Sequence, residues 1–401
     1  MAQNLDGADT SDHGKFVDSD DEVTEYSESP YRYAAGSRPY YPLRIGELLN
    51  GRYRIEHKLG HGGFSTVWMA YDLKSKTDVA LKVMAEGDSG EYEYRMQGEI
   101  KKSVKNTSGL VLYQSNFFLR GRGVDHRVLV FPMRGPSLDS LVGREIPMAS
   151  RMSAARQLLE ALANLHESGI VHRDINNNNV MWGIAPLGHL DKAAKYKLLG
   201  RPLKVAVPDE PWREGEVVKP IVVPDDLRTE SFYLGDFGLA MRLGDPTIPP
   251  GRPPITYCSP DRLHGKDPSY ACDIWSYMCV FTELYVGFAP FHTWAKGGVI
   301  STMVRLMGPL PVEWKGQYCD PSKVQDSWYA QESTSGPRAR PDKTEIEDLV
   351  LRGRPRASQI ERQHAISVLS RGFNMSPELR PAAKELLQDP SFKALMDIHC
   401  P

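Results

Sequence analysis

The sequence contains no apolar run long enough to cross a bilayer. Tyr277 to Pro290 comes nearest, but it is too short and Glu283 interrupts it. Basic residues are almost missing from positions 1–30, where Lys15 alone faces Asp6, Asp9, Asp12, Asp18, Asp20, Asp21, Glu22, Glu25 and Glu28. A secretory leader would be apolar there and a transit peptide basic, so neither is expected. Cysteine is scarce. The five residues Cys258, Cys272, Cys279, Cys319 and Cys400 are odd in number and show no paired spacing. That argues against a disulfide framework or a zinc site and for a reduced setting, cytoplasmic and/or nuclear. An excess of one charge is also lacking: at −2 the chain has no global pull toward nucleic acid or an anionic membrane. The expectation is a monomer with no direct nucleic-acid partner and no membrane.

What is present is an ordinary globular composition, 41% hydrophobic and 25% charged over 401 residues, enough for one or two compact units around a large core. Residues 1–40 stand apart as an acidic tail. They hold too little apolar surface to offset their ordering entropy, so disorder is expected there. The alternative is a regulatory arm phosphorylated at Ser27 or Ser29. Beyond Tyr40, Tyr53-Arg54-Ile55, Val67 to Tyr71, Val79 to Val83 and Val128 to Phe131 read as strands, and Tyr94 to Lys105 as a helix. Ser150 reads as the cap of a helix carrying Leu158, Leu159, Leu162 and Leu165, with Gly169 as its stop. Further helices are expected at 271–287, 297–307, 359–371 and 381–388. The architecture is α+β, with a small β-rich lobe over 41–134 and a larger helical lobe over 135–392. Two stretches without periodicity, 183–231 and 314–357, interrupt the second lobe as insertions, and 393–401 is a tail.

Three motifs carry chemistry. The first is Leu59-Gly60-His61-Gly62-Gly63-Phe64-Ser65-Thr66-Val67, between two strands. Glycines allow backbone amides close to a phosphate, although such a cluster can equally be a bare hairpin turn. The second is Lys82, near the end of the strand Val79-Ala80-Leu81-Lys82-Val83. It can face inward to phosphate oxygens, or outward to water as most lone lysines do. Glu99 on the following helix is the carboxylate assigned to hold Lys82, with Glu91 and Glu93 as competitors. The third is Val171-His172-Arg173-Asp174-Ile175-Asn176-Asn177-Asn178-Asn179, followed by Tyr233-Leu234-Gly235-Asp236-Phe237-Gly238. Asp174 can accept the proton of an attacking hydroxyl, while Asn179 and Asp236 offer oxygens to a magnesium ion. Gly238 is expected to supply the sharp turn after Asp236.

Together these residues resemble the signature set of eukaryotic protein kinases over roughly 53–392. Ser259-Pro260-Asp261 stands where that family carries Ala-Pro-Glu. Asp273-Ile274-Trp275-Ser276 matches its Asp-x-Trp-Ser helix, and Glu378-Leu379-Arg380-Pro381 its late arginine, which should pair with Asp261. The resemblance implies the bilobal protein-kinase fold, with ATP and Mg2+ as cofactors. It adds Ala80, Phe131 and Met133 to the glycine loop and Lys82 as nucleotide-lining residues, with Pro132, Met133 and Arg134 as the hinge. The run Tyr41 to Tyr53, with Lys58-Leu59-Gly60 and Phe64 to Trp68, resembles the serine/arginine-rich-protein kinases. It implies a protein substrate rich in Arg-Ser repeats, of the splicing-factor kind.

Two departures stand out. Asn176 occupies the place of the lysine that serine/threonine kinases set two residues after the catalytic Asp, and its lack of charge should weaken stabilisation of the transferring phosphoryl group. Pro254 replaces a threonine that normally touches that lysine. These departures keep open a pseudokinase scaffold as the alternative to an active enzyme. A sugar- or choline-type kinase fits less well, because it would lack Ser-Pro-Asp, Asp-x-Trp and the late arginine. Thr247, Thr256 and Tyr257 are available hydroxyls for regulation of the segment from Asp236 to Asp261.

Overall fold

The computed structural model describes residues 13–16, 39–86, 90–139, 146–207, 212–294, 298–318 and 345–400. Ser27, Ser29, most of the acidic tail and residues 319–344 of the second insertion lie outside them. The chain forms two compact units. One draws on residues 1–97, 111–136 and 183–229, the other on 98–110, 137–182 and 230–401.

The first unit is built on an antiparallel sheet of six strands in the order β2-β3-β4-β5-β7-β6. These are β2 (Leu48–Leu49), β3 (Tyr53–His61), β4 (Ser65–Asp72), β5 (Thr77–Met84), β6 (Ser115–Leu119) and β7 (His126–Pro132). Side chains alternate across such a strand. In β5 this sends Val79, Leu81 and Val83 into a core with Ile55, Trp68, Ala70, Val128 and Val130, and leaves Ala80 and Lys82 on the opposite face. Helix α1 (Glu91–Ser103) follows β5 and begins three residues before the expected Tyr94.

The stretch 183–231 interrupts the chain of the helical unit but is not part of that unit. Residues 183–229 belong to the β-rich unit. They contain α3 (Lys192–Leu199), β10 (Leu203–Ala206) and β11 (Glu216–Val218), and Asp191 caps α3 by accepting from the Ala194 amide. Leu187 and Leu199 pack on Met69 and Met133. Gly188 passes so close to the Lys76 carbonyl that an added Cβ would lie 2.8 Å from that oxygen. Lys195, fully enclosed on α3, bonds Glu56 at 2.8 Å and Asp78, with its ammonium 4.6 Å from the Tyr71 ring centre. The apolar residues of the segment have no period of their own because they are matched to the sheet beneath them. The expectation of disorder before residue 40 also fails locally. β1 (Lys15–Phe16) runs parallel to β10, and the Lys15 amide donates to the Pro202 carbonyl at 2.9 Å.

The second unit is helical. It contains α2 (Met148–Glu167), α4 (Pro260–Leu263), α5 (Tyr270–Val286), α6 (Gly298–Met307), α7 (Glu345–Gly353), α8 (Gln359–Gly372), α9 (Ala383–Gln388) and α10 (Pro390–His399). Ser150 lies inside the first turn of α2 rather than capping it, and its hydroxyl donates to Glu230 at 2.9 Å. α7 and α10 were not expected from the sequence. α10 replaces the tail assigned to 393–401 and buries Phe392, Leu395 and Met396. α5 is buried along nearly its whole length, and Gly287, in the left-handed region at φ 91°, ends it. Short strands complete the unit: β8 (Ile170–Val171) pairs with β13 (Met241–Arg242), and β9 (Val180–Ile184) with β12 (Arg228–Leu234). These two pairings flank the polar loops that carry the chemistry. Among the described residues no helix is long and apolar enough to cross a membrane.

Candidate active site

In the first unit the glycine motif forms the end of the β3–β4 hairpin. The Gly62 amide donates to the Ser65 carbonyl at 2.8 Å, the Ala85 amide to the Phe64 carbonyl at 2.8 Å, and the Tyr40 hydroxyl to the Gly62 carbonyl. Gly60, Gly62 and Gly63 take no left-handed conformation, but a Cβ on any of them would meet nothing within 4 Å. What these glycines supply is open room over the backbone, which is what close approach by a phosphate needs. The remaining residues of the motif divide by strand alternation. Val67 lies on the face shared with Ala80 and Lys82, whereas Thr66 is buried on the other face and accepts a bond from the Trp68 indole at 2.9 Å. Thr66 therefore contributes no side chain to the nucleotide-facing side. Ser65 is buried, while His61 and Phe64 are exposed at the hairpin end. Phe131 pairs with Ala80 across the β5–β7 ladder. Met133 and Leu59 pack into one apolar cluster with Leu187 and Leu199 of the insertion.

Lys82 faces inward, but its partner is not Glu99. Its ammonium bonds Glu93 Oε2 at 2.7 Å, with only 16% and 5% of the two side chains exposed. Gln97 donates to Glu93 Oε1 at 2.9 Å and accepts from the Tyr113 amide at 2.8 Å, so the carboxylate is fixed from a second side. Glu99 is exposed and lies 3.7 Å from both Lys102 and Arg242. The helical phase explains the correction. Six residues on, a side chain has turned about 240° around the axis. Glu93, Met96, Gln97 and Ile100 make the buried face, and Glu99 stands off it. The periodicity of those four was the signal available in the sequence.

In the second unit the loop after β8 is anchored from below. Asp273 on α5 accepts from the His172 amide at 2.7 Å and the Arg173 amide at 2.8 Å. His172 is fully buried, which holds its imidazole below the usual value and therefore neutral, and its Nε2 meets the Gly235 carbonyl at 3.0 Å. Asp174 is half-buried. Asn179 Nδ2 donates to Asp174 Oδ2 at 2.9 Å and to its carbonyl at 2.8 Å. Asn176 Nδ2 donates to Asp174 Oδ1 at 2.9 Å. The Gly235 amide donates to the Asn179 carbonyl at 2.8 Å, which sets Asp236 beside this loop.

Asp236 is exposed and has φ 59°, and Arg173 has φ 68°; these are two of the four non-glycine residues with positive φ among those described. The sharp turn falls on Asp236 itself, not on Gly238, whose amide donates back to Asp236 Oδ1 at 3.2 Å. Strain of this kind persists only where surroundings enforce it, as at functional sites. A carboxylate at Asp236 and the amide oxygen of Asn179 are hard oxygen donors, fitting a magnesium ion whose remaining ligands come from phosphate and water. The Asn179 amide nitrogen is already engaged with Asp174, which leaves its oxygen for the cation.

The following segment is held by Arg173, whose guanidinium donates to the carbonyls of Leu239 at 3.0 Å and of Pro249 and Gly251 at 2.9 Å. Arg380 bonds Asp261 at 2.6 Å, both side chains being buried, as the sequence implied. The Asn177 amide donates to Glu283, whose carboxyl burial pushes above its ordinary value. The sequence reading missed the anchoring role of Asp273 and the contact of Tyr40 with the glycine hairpin. Asp273 was visible as a motif, whereas the role of Tyr40 depends on where residues 39–40 are laid against the sheet.

Comparisons with known proteins bear on the family and the fold. Residues 53–192 and 221–392 match the family model of the protein kinase domain. The chain is 34% identical over 180 residues to SRSF protein kinase 3 of Mus musculus, covering 41% of this chain and 31% of that protein. It is 35% identical over 174 residues to protein kinase dsk1 of Schizosaccharomyces pombe, covering 40% and 32%. It is 26% identical over 286 residues to the probable serine/threonine-protein kinase clkA of Dictyostelium discoideum, covering 68% and 29%. The chain spans from 16% to 64% of the length of such curated relatives. A crystallised kinase domain shares the fold, with a TM-score of 0.63 at 18% identity, covering 88% of this chain and 98% of that one.

Proposed function

The chain belongs to the protein kinase family, and we propose that it transfers the γ-phosphate of ATP to serine or threonine hydroxyls of proteins, Arg-Ser-rich splicing factors foremost. The observation that carries this reading is the joining of Asp174, Asn179 and Asp236 through the Asn179 amide at 2.9 Å and the Gly235–Asn179 backbone bond at 2.8 Å. Asp174 orients the substrate hydroxyl and takes its proton as the new oxygen–phosphorus bond forms and the bond from the γ-phosphorus to the β,γ-bridging oxygen breaks, with ADP leaving. Lys82, fixed by Glu93, holds phosphate oxygens as a point charge. Asn179 and Asp236 would hold magnesium, which when bound neutralises charge on the phosphates.

The substrate class rests on relatives named for kinase action on SRSF proteins. The reading includes a monomer acting in the cytoplasm or nucleus, in line with free thiols at Cys258, Cys272, Cys279 and Cys400. The test is a radiolabelled ATP–magnesium assay on an Arg-Ser repeat peptide and on a generic basic protein. Transfer is expected, with Asp174→Asn lowering turnover about 10²–10⁴-fold. Nucleotide binding without transfer to either substrate would overturn the proposal.

A further inference from the structure

The neutral residue in place of the usual lysine makes three bonds at once. Asn176 is 2% exposed and stands, in extended conformation, just before the 3-10 turn Asn177–Asn179. Its Oδ1 accepts from the Asn178 amide at 3.0 Å. Its Nδ2 donates to Asp174 Oδ1 at 2.9 Å and to the Asp174 carbonyl at 3.1 Å. Asn179 grips the other carboxylate oxygen and the same carbonyl. Each oxygen of the Asp174 carboxylate is thus held by a different asparagine. One of those asparagines also caps the turn that presents the other.

A lysine cannot reproduce this. Its ammonium has three donors and no acceptor, so it could bond Asp174 but could not receive the Asn178 amide. A carboxamide carries both capacities a few bonds apart. An asparagine before a short helical turn is also a favoured cap in its own right.

We infer that Asn176 is a positioning residue: its side chain locks the Asp174 carboxylate to the turn bearing Asn179, so that this kinase needs no cation at position 176. The inference deepens the proposed function and rests on Asp174 being the group that handles the proton. A cation there would leave the Asn178 amide without its acceptor.

The test uses the full chain and the peptide kinase assay, with kcat and KM determined separately across pH and with thermal melting as the check on folding. Asn176→Ala is expected to lower kcat about 10- to 100-fold, the cost of a misplaced catalytic group, with KM for ATP changed less than about threefold. Asn176→Lys should not raise kcat. Asn176→Ser retains an acceptor for the Asn178 amide without the amide donor. It should fold and yet remain slow, which keeps the test available if the alanine variant does not fold. Because Asn176 acts through Asp174, adding Asn176→Ala to Asp174→Asn should cost little more. A lysine variant at or above the native rate, or a fully additive double variant, would overturn the inference. Native activity of Asp174→Asn alone would instead remove the base assignment on which it rests.

Discussion

A carboxylate six residues on, and so on the wrong face of a helix, cannot hold a lysine, and the choice between Glu93 and Glu99 is decided by that phase. Glu93→Gln should lower kcat/KM by about 10²-fold, since Lys82 loses the charge that orients it at 2.7 Å. Glu99→Gln should stay within about twofold, because an exposed carboxylate 3.7 Å from its nearest cations contributes little. Steady-state kinetics on both variants check this; equal losses would show that Glu99 exchanges with Glu93 during turnover. The same contrast explains what could be read from the sequence at this scale. Asp174, Asn179 and Asp236 were legible because motif order alone places them. The partner of Lys82 was not, because it depends on where α1 begins. The two-way bonding of Asn176 was hidden as well, since it depends on the extended conformation of one residue and the turn after it.

Among the elements, β3, β4, β5 and β7 announced themselves because alternation across a half-buried sheet is written into each strand separately. The insertion did not, because its order is borrowed from the surface it covers. The strongest tie in that contact is electrostatic: Lys195 of α3 reaches Glu56 of β3 and Asp78 of β5 where all three side chains are under 6% exposed. Burial raises the Asp78 carboxyl, and the hydrogen bond and charge of Lys195 pull it back. Removing one partner of a buried ion pair strands the other charges, at a cost of about 3–5 kcal/mol. Lys195→Ala should therefore lower the unfolding free energy of the β-rich unit by that amount, read as a lower urea midpoint with little change in slope. Replacing all three residues by apolar ones of similar volume should return most of the loss. If the single variant were as stable as the native protein, α3 would not be fastened to the sheet through this cluster.

At the scale of the whole molecule, buried titratable groups set how stability responds to pH. Burial lowers His126 and His172 and brings His57 down to about 4 from an ordinary 6.5. Below 6.5 the unfolded chain takes up protons that the folded protein refuses, so stability falls as pH drops toward 4. On the alkaline side burial raises Cys258 to about 12, and raises Cys272, Cys279, Tyr257, Tyr277 and Tyr285 as well. Above their ordinary values of 9.0 and 10.0 the unfolded chain sheds protons that the folded protein keeps, and stability falls again. The maximum is expected between roughly pH 7 and 9. Lys58 runs against the alkaline limb. It is wholly buried, its ammonium lies 5.1 Å from the Trp68 ring centre, and burial lowers it from 10.5 to about 7. Below 7 both states carry its proton and the folded state bears the desolvation cost. From 7 to 10.5 only the unfolded chain retains the proton, so this one group adds stability as pH rises. Lys58→Met should accordingly stabilise the protein by about 1 kcal/mol or more at roughly pH 6, and by progressively less toward roughly pH 10. Urea unfolding of the native chain and the variant across that range measures the difference. A gain that did not shrink with rising pH would show that the desolvated ammonium is not what the substitution relieves.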